Sequence, residues 1–91
     1  MILNRDISMA HFHGSQNRQK AEDLILLEMG LKFAIGRDCD INVIEAHKWL
    51  NIAAIRGNEK AARMRNQVAA TMTKAELAAA LRSAREWLAS H

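Results

Sequence analysis

The chain has 91 residues, about half of them apolar and a quarter charged, which is the composition of one globular domain. Its formal charge of +3 is placed unevenly: acids and bases cancel, seven against seven, as far as Gly57, and the excess lies beyond it. One cysteine, Cys39, excludes an internal disulfide framework and fits a reducing compartment, and no apolar run is long enough to span a bilayer.

Pro and Tyr are absent, Ala is abundant and β-branched residues never cluster, so an all-α fold is expected. A chain this short buries a modest fraction of its surface, and a partner or a second copy is an expected source of stability. The start, Met1 to Asp6, lacks the apolar stretch and small-residue site of a signal peptide, and a cytoplasmic location is expected.

Residues 1–16 show no sustained period. They mix Ile2, Leu3, Ile7, Met9 and Phe12 with polar residues, end at Gly14-Ser15, and read as a flexible arm ordered only where its apolar residues find a surface. His11 and His13 flank Phe12 with no third ligand nearby, so no metal site is expected; His47, alone on a later helix, reads as a surface or boundary residue. Residues 17–91 form the expected helical domain.

Helix one should run from about Asn17 to Ile35, with Gly36 as a left-handed cap beyond its end. It carries two apolar stripes. Ile25, Leu26, Met29 and Phe33 form one; Leu24, Leu27, Leu31 and Ile35 form the other, with Glu28 and Lys32 as the polar strip between them. A helix apolar on two sides is built to be sandwiched.

The loop from Arg37 to Ile41 leads to Asn42, an N-cap residue, with Glu45 three positions on, where it can complete a capping box. Helix two then carries Val43, Ala46, Leu50 and Ala53 on one face with Trp49 beside them, and stops at Gly57. Asn58 can cap helix three, whose stripe is Ala61, Met64 or the stem of Arg65, and Val68, ending near Met72. Thr73 and Glu76 make a second capping box ahead of helix four, which sets Leu77, Leu81, Ala84 and Leu88 on one side and Trp87 near its end. Short connections make successive helices antiparallel.

Ala46-x-x-Trp49 recurs as Ala84-x-x-Trp87, a period in the range of stacked helical hairpins. The wider pattern is Met29-Gly30-x-x-Phe33-x-x-Gly36, followed by Ala46-x-x-Trp49-x-x-x-Ala53-Ala54-x-x-Gly57-x-x-x-Ala61. It resembles the Sel-like repeat, a relative of the tetratricopeptide repeat, over roughly Leu24 to Met64. Asp38 stands where that family has a second loop Gly, Cys39 where it has Val, and Asn42 where it has Asp. Asn keeps the capping chemistry, Cys can keep a small buried role, and Asp suits a left-handed turn less well than Gly. Helix three lacks the Leu-Gly-x-x-aromatic signature, so the second repeat reads as a degenerate closing cap. The resemblance implies antiparallel hairpins stacked as a short right-handed α-α solenoid of about four helices. It also implies a scaffolding role, binding proteins without catalysis.

The residues point the same way. No nucleophile–base motif, zinc spacing, phosphate-binding Gly-rich loop or framed acid pair is present, so no catalytic, cofactor or metal residues are expected. In an array, a preceding repeat would cover the stripe of Leu24, Leu27, Leu31 and Ile35; with only the arm upstream, that face is the expected interaction site for a second copy or another protein. The rival expectation is that Ile2, Leu3, Ile7 and Phe12 fold over it. Leu27→Glu suggests itself as the variant that would abolish the contact. An alternative function is a small basic nucleic-acid binder using Arg63, Lys74, Arg82 and Arg85, disfavoured because aromatic residues for stacking are scarce.

Overall fold

The structure, a computed structural model, describes residues 20–91. The arm, with His11 and His13, and the expected first turn of helix one lie outside the described residues. What is described is all-helical: α1 (20–35), α2 (Val43–Ile55), α3 (Glu59–Ala69) and α4 (Lys74–Ser90), with no strand among the described residues. None of these helices is long and apolar enough to cross a membrane.

Local chemistry sets the boundaries. Past α1, Gly36 adopts φ 73°, and the amides of Gly36 and Arg37 both donate to the Lys32 carbonyl, at 2.9 and 3.0 Å. That is the left-handed helix stop expected of a glycine at this position. Asp38 is left-handed too, at φ 61°, so this loop makes with Asp the turn for which Gly is the easier residue. The half-buried Cys39 turns its thiol toward the same Lys32 carbonyl, 3.7 Å away. At the end of α2, Gly57 has φ 102°, its amide donates to the Ala54 carbonyl, and the Asn58 amide reaches the Ala53 carbonyl, which together close a Schellman motif.

The helix starts are capped by side chains. Asn42 Oδ1 accepts from the Glu45 amide at 3.0 Å, and Asn58 Oδ1 from the Ala61 amide at 2.9 Å. Thr73 and Glu76 form the full reciprocal box. The expected box at Asn42 does not close. Glu45 instead accepts from Trp49 Nε1 at 2.8 Å, and the Asn42 amide is satisfied by the Phe33 carbonyl across the turn at 3.0 Å. A tertiary acceptor for that amide freed the Glu45 carboxylate for the indole.

α2 is the axis of the packing. It lies against both α3 and α4, and α1 crosses it where Gly30 meets Leu50. α1 and α2 run antiparallel: Glu22 pairs with Arg56, Gly30 abuts Leu50, and Phe33 bonds Asn42. Surrounded in this way, α2 is buried at Ala46, His47 and every position from Trp49 to Ala53. The core joins Leu26 and Leu27 of α1 to Trp49, Leu50, Ile52 and Ala53, with Ala61 from α3 and Ala84 from α4. Alanines at 46, 53 and 61 are fully buried, where larger side chains would hold the helices apart.

Candidate interaction surface

The residues that carry the resemblance converge on this core. Ala46, Trp49, Ala53 and Ala61 are buried, Gly30 lies in the crossing, and Met29, Phe33 and Ala54 pack half-buried around it, while Gly36 and Gly57 occupy the two turns. The internal Ala-x-x-Trp echo has a physical counterpart. Ala46 and Ala84 are both buried, and the Trp49 and Trp87 rings meet edge to face with centroids 5.5 Å apart and planes at 80°. Trp87 is half-buried; the His91 ring stacks on it at 4.2 Å, and His91 Nδ1 donates to the Trp87 carbonyl at 2.9 Å. The Arg56 guanidinium lies over the same indole, 5.6 Å from its centroid, and pairs with Glu22 at 3.2 Å.

His47 belongs inside rather than at the surface or boundary. It is 3% exposed, and its Nδ1 is buried without a hydrogen-bond partner among the described residues. One turn on, Asn51 is also buried, and its Oδ1 accepts from Arg65 Nη1 at 3.0 Å across the α2–α3 contact. Burial first, and the Arg65 guanidinium second, lower the His47 pKa below its ordinary 6.5. Neither residue interrupts an obvious apolar stripe; their burial follows from the packing of both α3 and α4 on α2, which the pattern of a single helix does not show.

The expected interaction face is divided by the fold. Leu24 and Ile35 are 57% and 62% exposed, Leu31 is half-buried against the core, and Leu27, at 6%, is part of the core itself. The physical reason is helical geometry. Leu27 lies a turn from Leu31 but also beside Leu26 and Gly30, and α2 settles into the hollow at Gly30, taking Leu26 and Leu27 together. Leu27→Glu would therefore test the core, not a surface. Ile25 of the other stripe stays 59% exposed. The outward face of α1 thus presents Leu24, Ile25 and Ile35 around the exposed Glu28 and Lys32, with Glu28 bridged to Arg37 at 3.0 Å.

Two shallow depressions border this face. One lies on α1 among Leu24, Ile25, Glu28, Met29, Lys32 and Arg37. The other, between α1, α2 and α4, runs from Ile25 and Met29 to Trp87 and Arg56. Ile25 and Met29 line both, so the apolar surface is continuous from α1 to the edge of Trp87. Arg63, Lys74, Arg82 and Arg85 are all exposed on α3 and α4. Compared with family models, with curated proteins and with solved structures, the chain matches none.

Proposed function

We propose that this chain is a non-catalytic protein–protein interaction module, a helical repeat of the Sel-like type with its hairpins stacked as a short solenoid and a degenerate second repeat. The solenoid reading is supported by the antiparallel α1–α2 pair, by the packing of α2 on both α3 and α4, and by the burial of the motif alanines and Trp49. The observation that carries the functional reading is the exposure of Leu24, Ile25 and Ile35 on a helix whose opposite side is core. Three large aliphatic side chains on one face are a surface of the kind proteins keep for docking. The partner is another protein chain.

Ile25→Asp combined with Ile35→Asp tests this. The double variant should stay folded, at a small cost in melting temperature, because both side chains are more than half exposed, and should lose the proteins that the tagged parent retains in a pull-down and any self-association seen by light scattering. Retention of the same partners and the same solution mass would end the reading.

A second reading, nucleic-acid binding, is favoured by the four exposed bases Arg63, Lys74, Arg82 and Arg85. It predicts retardation of a nucleic-acid probe at low salt that disappears steeply as salt rises. Trp49 is buried, Phe33 packs half-buried against the core, and Trp87 is engaged with Trp49 and His91, which disfavours stacking of bases on the described aromatic residues.

A further inference from the structure

We infer that the partner of the α1 face is a second copy of this chain, with the two α1 helices packed antiparallel about a two-fold axis at the height of residue 30. This rests on the interaction-module reading and names its partner. The outward face holds Ile25, Glu28, Lys32 and Ile35 in that order, all exposed. Their spacing is symmetric about position 30: 25 and 35 lie five residues to either side, 28 and 32 two residues to either side. In an isologous contact residue i meets j and j meets i. Antiparallel pairing about that centre sets Ile25 against Ile35 of the second copy at both ends, and Glu28 against Lys32 of the second copy twice in the middle.

Charge complementarity selects this occupant. Along the helix the face carries one acid, Glu28, and one base, Lys32, with Arg37 of the following loop beside Glu28, and the Glu28–Lys32 pair is opposite in sign to itself once inverted about a two-fold axis. Glu28 already bridges Arg37, but both side chains are more than half exposed, and so open a pair can accept a further cation at little cost. Leu24, at 57% exposure, adds apolar surface beside Ile25, and the helix rise of about 1.5 Å per residue separates the two isoleucine contacts by roughly 15 Å. Two isoleucine contacts and two exposed ion pairs make a small contact, and the dimer is expected to be weak, with a dissociation constant from about micromolar to millimolar.

The test is sedimentation equilibrium of the full chain and of charge variants whose folding is checked by circular dichroism. The parent should show concentration-dependent dimerisation. Glu28→Lys and Lys32→Glu, each alone, set like charges opposite one another twice and should each weaken the dimer by about tenfold. Mixed in equal amounts, the two variants become fully complementary, two lysines facing two glutamates, and the mixture should dimerise more tightly than either variant alone. The combined Glu28→Lys/Lys32→Glu chain should regain the parent's affinity. A parent that stays monomeric to about 1 mM overturns the inference. So does a mixture no tighter than its separate components, or a dimer that survives Ile25→Asp/Ile35→Asp. None of these results touches capture of a different protein through the same face, which the pull-down reads separately.

Discussion

A β-carbon placed on Gly30 would fall 2.6 Å from Leu50 Cγ and 3.2 Å from the Leu50 backbone nitrogen. The two helices therefore cross where α1 has no side chain, and the closeness of α2 to α1 depends on that absence. Helix propensity alone favours Ala over Gly by about 1 kcal/mol in a helix interior. Overpacking at a crossing costs about 1–3 kcal/mol, and part of the obstacle here is backbone, which cannot rotate away. Gly30→Ala should therefore destabilise the chain in urea titrations, and Gly30→Leu should do so more. A Gly30→Ala protein more stable than the parent would mean that the crossing is looser than it looks.

Trp49 and Trp87 occupy corresponding places in the internal echo but unequal environments. Trp49 is 9% exposed and bonded to Glu45, whereas Trp87 is half-buried. Trp49→Ala should cost about 3–5 kcal/mol as a core cavity, and Trp87→Ala less, roughly 1–3 kcal/mol. Because the rings touch, the double variant should fall short of the sum by about 0.5–1.5 kcal/mol. Strict additivity in chemical denaturation would deny the edge-to-face contact any energetic role.

His47 should make stability fall on mild acidification. Its folded pKa is depressed below 6.5, so the unfolded chain takes up the proton first. Between those two values the unfolded state binds more protons, and stability rises with pH. The contribution is complete above about pH 6.5 and is lost progressively as the pH drops through that value toward the folded pKa. His47→Gln should flatten the difference in melting temperature between pH 7 and pH 5 relative to the parent. Parallel curves for the two proteins would show that the imidazole is not held neutral by its surroundings.

Asp38 holds a left-handed conformation without the freedom of glycine. Asp38→Gly should relieve that backbone and raise the melting temperature slightly, by up to about 1 kcal/mol of stability, since glycine also loosens the unfolded chain. A lowered melting temperature would indicate that the Asp side chain stabilises the turn by more than its backbone costs.

Legible in the chain alone is the local grammar: no proline in the helices, stops at Gly36 and Gly57, starts at Asn42, Asn58 and Thr73, and small residues at 30, 53 and 61. These features act over a few residues through capping hydrogen bonds, φ preferences and side-chain volume, so they hold whatever the helices pack against. Which side of each helix lies inside was set by how the helices pack on one another. α1 is apolar on two flanks, and periodicity grouped Leu27 with Leu24 and Ile35; only the seating of α2 over Gly30 drew Leu27 into the core and left Ile25 out. Glu45 left its capping box for Trp49, and His47 went inside, because α1, α3 and α4 all pack on α2 and leave only the side of Ile44, Lys48 and Ile55 partly uncovered, an enclosure that the pattern of one helix does not reveal.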